Sequence, residues 1–306
     1  MLRRQVLFGS AGCLASGCAA RARVPVAPER TSSPSPSVGR YESTLWSFST
    51  ASYWVEGDDG VVVFDTQFLA SEAKSVLDAA EAVTGKPVVA AVVLHPNPDK
   101  FNGTSTFQAR GVEVLTSTQV LAAIPAVHAQ RLRAFGDRYA PDFPPVPAAP
   151  DAFGDTTTTL RRAGLELTLH VLGAGCGTHH VVVQWKDHAF VGDLVANGAH
   201  SWMELGMLDR WQDRLGELEA MGVDFVHPGR GPSAGRGLLA EQRAYLREAA
   251  ARADAVASAG LGAAAAKTLE EQIVAAYPKH RFRAFVGIAA PELLARAREE
   301  PGPHSA

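Results

Sequence analysis

Cysteine is nearly absent, with three residues in a chain of 306. Cys13 and Cys18 fall within the first twenty positions, so the body of the chain keeps one thiol, Cys176, and no disulfide framework can staple it. An apolar run of membrane-spanning length is lacking in the leader too: the small-residue stretch from Val6 to Ala20 is too short to cross a bilayer. Charge of one sign is not in excess. A net charge of -3 leaves no basic face of the kind that nucleic acid or anionic lipid requires, which excludes both as main partners. No unit of roughly 20 to 50 residues repeats, which excludes a solenoid. What remains is 46% hydrophobic residues over a length that can bury a core of its own without metal or partner.

The N-terminus reads as a leader. Arg3 and Arg4 precede the Val6–Ala20 run, the pattern of a secretory signal, and the arginine pair points to the twin-arginine route unless it is an ordinary charged n-region. Cys18 lies in Leu14-Ala-Ser-Gly-Cys, which resembles a bacterial lipoprotein cleavage box with Ala15 where a larger aliphatic is usual. Cleavage near Ala20 or Ala22 is the alternative and leaves no anchor. Residues 1–22 are thus expected to be an export signal, residues 23–40 a disordered linker rich in Pro, Ser and Arg, and residues 41–300 the folded domain. The expected location is the periplasm or cell envelope, with membrane contact only through a lipid on Cys18.

Within the domain, strand and helix patterns alternate. Ser52–Glu56 and Val61–Asp65 are β-rich runs split by Gly57-Asp58-Asp59-Gly60, a hairpin turn. Residues 71–84 place Ala73, Val76, Leu77, Ala80 and Val83 on one helical face before Gly85-Lys86-Pro87. Val88–Leu94 is an unbroken apolar run, the mark of a strand buried on both sides, and it stops at His95. A helix from about Thr104 and a strand at Val112–Leu115 follow. Five prolines in residues 141–150 predict an irregular excursion. Strands at 156–162, 165–171, 180–185 and 188–191, a helix from Leu208 to Met221, a strand at Phe225-Val226 and long Ala-rich helices complete the chain. The two-half rhythm predicts two packed sheets with helices outside. Whether the Ala-rich stretch 249–267 covers a sheet or pairs two subunits stays open.

Val-Phe-Asp-Thr at 63–66, His-Pro-Asn-Pro-Asp-Lys-Phe-Asn-Gly at 95–103, Gly-Ala-Gly-Cys-Gly-Thr at 173–178, Gly192-Asp193 and His-Pro-Gly-Arg-Gly at 227–231 occur in an order that resembles the metallo-β-lactamase superfamily. The resemblance covers about residues 45 to 250. It implies an α/β fold, a four-layer αββα sandwich, here with extra C-terminal helices, and an edge site where His and Asp side chains hold one or two zinc ions that activate water, with Cys176 standing where a loop histidine is expected. By that resemblance His95, Asp99, Cys176 and Asp193 are the candidate metal ligands.

Several family positions are altered. Asn97 replaces a histidine and is a weak zinc ligand, Lys100 stands at another ligand position, and the Arg230 guanidinium cannot ligate at all. At most one zinc is therefore expected. Each candidate also has a simpler reading: His95 and Asp99 capping backbone groups, Cys176 a buried inert thiol, and Asp193 paired with Lys100 or Arg230 in place of a lost metal's charge. His179 and His180 lie just beyond the ligand loop, and His200 and His227 are near the site in chain order.

Two functions follow. One is a metal-dependent hydrolase with at most one ion, acting on an ester, thioester, lactone or phosphoester, with Asp99 and Lys100 catalytic and Lys100, Arg230, Asn97 and His200 binding substrate. The other is a non-catalytic pseudoenzyme holding an anionic small molecule in a cationic pocket. Since residues 1–36 show leader and tether composition, deleting them is expected to leave the melting temperature within a few degrees of the full chain, as read by thermal denaturation.

Overall fold

The computed structural model describes residues 29–30 and 38–299; the expected signal over residues 1–22 lies outside the described residues. Within the expected linker, Glu29–Arg30 forms a short strand, β1, antiparallel to Gly39-Arg40 at the start of β2 (Val38–Glu42).

The first sheet continues through β3 (Ala51–Glu56) and β4 (Val61–Phe64), the hairpin read from the Gly-Asp-Asp-Gly turn. Helix α1 (Ala70–Thr84) buries Ala73, Val76, Leu77 and Ala80, the face set by its apolar spacing, and ends where Gly85 takes a left-handed φ of 71°. It is the crossover to β5 (Val88–Val92), which lies parallel to β4. Beyond β5 come α2 (Pro98–Phe101), α3 (Thr104–Ala109), β6 (Glu113–Thr116), α4 (Thr118–Tyr139) and β7 (Asp151–Ala152). Helix α4 occupies much of a region where the sequence showed no pattern. Ser117 caps it, its side chain accepting from Val120 N at 3.2 Å, and Pro125 sits inside it. The proline-rich segment after α4 is irregular, as expected.

The second sheet runs in the order β13-β12-β11-β10-β9-β8. Strands β8 (Thr158–Arg162), β9 (Leu165–Leu172), β10 (His180–Trp185) and β11 (His188–Ala196) form an antiparallel meander. Helix α5 (Leu208–Ala220) crosses over to β12 (Phe225–Arg230), parallel to β11, and β13 (Ala234–Gly235) closes the edge. Helices α6 (Gly237–Ser258), α7 (Ala265–Ala276) and α8 (Arg283–Glu299) complete the described chain.

Two apolar clusters define the layers. Val63, Phe64, Val92, Leu167, Leu169, Val181, Val183 and Phe190 meet between the sheets, while Val191, Val195, Val226, Trp211, Leu215, Leu246, Leu269 and Leu293 join the second sheet to α5–α8. The Ala-rich helices therefore cover the sheet. This is the αββα sandwich with additional C-terminal helices. No helix among the described residues is long and apolar enough to cross a membrane. At one edge an isolated bridge between Thr50 and Arg230 ties the two sheets, and the ends of β4, β5 and β12 open there.

Phe190 packs between the sheets, its ring centroid 4.2 Å from that of Phe64 and 4.4 Å from that of His227. Replacing Phe190 by Ala is expected to cost about 3–5 kcal/mol, the range for a large aromatic removed from a closed core, measured by denaturant unfolding.

Candidate functional site

Strand geometry gathers the candidate residues. Three residues past β5 the chain reaches His95, and α2 presents Asp99 and Lys100 in a single turn that begins at Pro98, with Asn97 before it. Strand β11 carries Asp193, β12 ends at Arg230, and the β9–β10 loop holds Cys176. A close backbone approach seats Asp193: a Cβ at Gly229 would lie 2.0 Å from Asp193 Oδ1, so only glycine fits there.

The centre is an ion-pair cage. Arg230 places Nη1 2.5 Å from Asp193 Oδ2 and Nη2 2.6 Å from Asp99 Oδ2, while its Nε donates to Phe48 O at 3.2 Å. Lys100, with no exposed surface, sets Nζ 2.9 Å from Asp193 Oδ1, 3.2 Å from Asp99 Oδ2 and 3.8 Å from Asp65 Oδ2. Thr50 Oγ1 donates to Asp99 Oδ2 at 3.1 Å. Burial by itself opposes ionisation of the two carboxylates, yet Lys100 and Arg230 hold Asp99 below the usual range and Arg230 and Lys100 hold Asp193 well below it. Burial also opposes the Lys100 charge, and Asp193 and Asp99 overcome it, so its pKa is raised. Asp65 is different: burial pushes its pKa up to about 8, with Lys100 and the Leu94 amide only partly opposing this. Asp65 is thus largely protonated at neutral pH, and in the cage two carboxylates, Asp99 and Asp193, face two cations, Lys100 and Arg230.

Sequence reading expected Lys100 and Arg230 to offer positive charge to a ligand. The structure turns both inward onto carboxylates, so neither presents a free cation. Asn97 lines the cleft above, as does Asp99. His200 is not gathered with them: it is buried beside α6, its Nδ1 within 3.0 Å of Tyr245 Oη and its ring 5.4 Å from that of His280. His227 is also apart, linked through Nδ1 to Ser233 Oγ at 2.8 Å and through Nε2 to His188 Nδ1 at 2.9 Å.

The residues fit zinc on one side of the site only. On the carboxylate side Arg230 and Lys100 occupy the oxygens an ion would need. On the other, His95, Cys176 and His180 bring donor atoms within 4.8 Å of one another, the one such group found among the described residues. Burial pushes the Cys176 thiol well up, with Asp193 adding to it, and pushes His180 well down, with His95 adding to that. Without an ion the thiol therefore stays protonated and His180 neutral.

A narrow cleft with about 30 Å³ of free space opens above the cage. Its walls are aromatic, from Phe48, Phe68, Phe135, Trp202 and Phe285. The Arg230 guanidinium lies 5.2 Å from the Phe285 ring centroid, and Arg131, at the wall, pairs with Glu204 and lies 5.0 Å from the Trp202 ring. Sequence reasoning missed this wall and Asp65 alike. The Val-Phe-Asp-Thr motif was the only signal for Asp65, and the aromatics come from five segments with no shared motif.

Comparison with known proteins agrees with the geometry. The family described as the metallo-beta-lactamase superfamily matches residues 46–256. No curated protein shares significant sequence similarity with the chain. Among solved structures, a metallo-beta-lactamase from Pontibacter korlensis is 22% identical, superposes with a TM-score of 0.56 and covers 72% of this chain and 98% of its own. The metallo-beta-lactamase FIM-1 from Pseudomonas aeruginosa in its mono-zinc form is 17% identical, with a TM-score of 0.55 and coverages of 73% and 96%. A metallo-beta-lactamase from Erythrobacter litoralis is 16% identical, with a TM-score of 0.54 and coverages of 71% and 95%.

Asp65 gives the cage a pH signature. Its folded pKa is raised above the unfolded carboxyl value, so between about pH 4 and 8 the folded state binds more protons than the unfolded one. The contribution of this group to stability is present at low pH and is lost as pH rises towards 8. Substituting Asp65→Asn is expected to flatten that part of the stability-against-pH curve, followed by urea unfolding at several pH values.

Proposed function

We propose that this chain, which belongs to the metallo-β-lactamase superfamily, is a binding protein of hydrolase ancestry that holds an uncharged aromatic small molecule in the cleft above its ion-pair cage. The observation that carries this reading is Arg230, which spans Asp99 and Asp193 with its two terminal nitrogens. Those carboxylates are the ones that, by the family pattern, hold hydrolytic metal, and a covalently tethered guanidinium does not exchange for water or substrate. With the two carboxylates of the cage paired to its two cations and Arg131 paired to Glu204, the cleft has aromatic walls and a polar floor that offers neither sign of charge. Flat, uncharged molecules gain most from such walls, through stacking and apolar burial.

A one-metal hydrolase is the competing reading, and His95, Cys176 and His180 supply ligands for it. None of the three lines the cleft, however, so an ion among them has no direct face towards a substrate bound there. The leader read from Arg3, Arg4 and the Val6–Ala20 run supports binding in the cell envelope.

The test pairs binding with turnover. Neutral aromatic probes are expected to bind saturably and more tightly than matched carboxylates, with or without chelator. Trp202→Ala should weaken binding about tenfold, as expected for loss of one stacking partner. No hydrolysis of ester, thioester, lactone or phosphoester panels is expected with added zinc. Chelator-sensitive turnover of any of these would overturn the proposal.

A further inference from the structure

We infer that His95, Cys176 and His180 bind one thiophilic transition-metal ion of the zinc class, in an enclosed site displaced from the carboxylate cage. The three residues come from the end of β5, the β9–β10 loop and the first position of β10, and they are 0%, 3% and 1% exposed. Neither ring nitrogen of His95 has a hydrogen-bond partner among the described residues. Nε2 has only a long approach to Asp193 and Nδ1 has no polar partner, a cost that folded proteins rarely carry on a wholly buried ring without a bound group to meet it.

The two ring nitrogens of His95 face different partners. His95 Nε2 faces Asp193 Oδ2 at 3.5 Å. His95 Nδ1 faces Gly177, where an added Cβ would stand 3.6 Å from it and 3.7 Å from His180 Nε2, so both nitrogens border the same small space. Glycine at 177 keeps that space open. With the Nε2 hydrogen turned to Asp193, the Nδ1 lone pair is free for an ion, and the carboxylate orients the ring in the manner of metal-bound histidines.

The separation of Cys176 and His180 suits a shared ion. Cys176 Sγ lies 3.8 Å from His180 Nε2. A tetrahedral zinc, with bonds of about 2.3 Å to sulfur and about 2.05 Å to nitrogen, holds such a pair about 3.6 Å apart. His180 Nε2 now accepts from the Gly177 amide at 3.1 Å, and the ion takes over that lone pair. Binding converts the Cys176 thiol to a metal-bound thiolate and releases its proton to solvent, leaving the other bonds intact. Two imidazoles and a thiolate favour zinc-class ions over calcium or magnesium, which require oxygen. The site also differs from the family arrangement in its ligands: His180 takes part, and Asp99 and Asp193 give their oxygens to Arg230 and Lys100.

The test uses the full-length protein stripped with chelator. Zinc titration against a chromophoric competitor is expected to give one equivalent, and cobalt(II) a thiolate-to-metal charge-transfer band in the near ultraviolet. Cys176→Ser and His180→Gln should each weaken zinc binding at least about 100-fold, and Cys176→Ser should abolish the cobalt band. No zinc uptake, a cobalt spectrum without the thiolate band, or undiminished binding by Cys176→Ser would overturn the inference. Should either variant fail to fold, stoichiometry and the cobalt band of the unmutated protein decide it. Cleft ligand binding is read separately with aromatic probes, so its outcome and that of the metal site remain distinguishable.

Discussion

Arg230, lying between Asp99 and Asp193, is the contact on which the rest of the site depends. Two carboxylates brought together inside a sandwich repel one another and lose their hydration, and they stay ionised only if positive charge is fixed beside them. A divalent ion can supply it, and so can two side chains. Here Arg230 and Lys100 do so on tethers of fixed length, and the difference is chemical. A metal ion can hold a water molecule and polarise it, whereas a guanidinium and an ammonium saturated by carboxylates have no open position to offer.

That substitution shapes the cleft as well. Because Arg230 satisfies Asp99 and Asp193 from the β12 side, its guanidinium also forms part of the floor, near the Phe285 ring and bonded to Phe48 O. The same side chain thus neutralises the buried carboxylates and joins the aromatic wall to the second sheet. Buried ion pairs contribute little net stability when desolvation is counted, but removing one partner strands the others. Losing Arg230 would therefore strand Asp99 and Asp193 as buried charges.

Much of the fold was legible because periodicity is local. The hairpin around Gly57–Gly60, the face of α1 and the doubly buried β5 each declare themselves within a short window. Helix α4 did not, since Pro125 interrupts its interior and its buried stripe, Val120, Ile124, His128, Arg131 and Tyr139, holds only two aliphatic residues. The site was legible in part for a different reason: motif order fixes which loops converge, and charge arithmetic pairs Asp193 with Lys100 or Arg230. The structure joins it to both. What sequence could not show was direction. It offered no reason for Asp65 to turn inward as a neutral carboxyl, nor for His180 to join the ligand loop while His200 packs against Tyr245.

His95 stands at the border between two sets of partners, Asp193 on one side and Cys176 with His180 on the other. A hydrolytic metal performs two tasks at once, neutralising clustered carboxylates and accepting lone pairs from imidazole and thiolate. In this chain the tasks fall to different groups. Arg230 and Lys100 have taken the first, which needs only charge. The second needs an empty orbital, and no side chain can provide one, so Nδ1 of His95 is left unpaired beside the ligand loop. Replacing a metal's charge is within reach of ordinary protein chemistry, whereas replacing its coordination is not, and this asymmetry explains why the carboxylate side of the site is satisfied while the imidazole side is not.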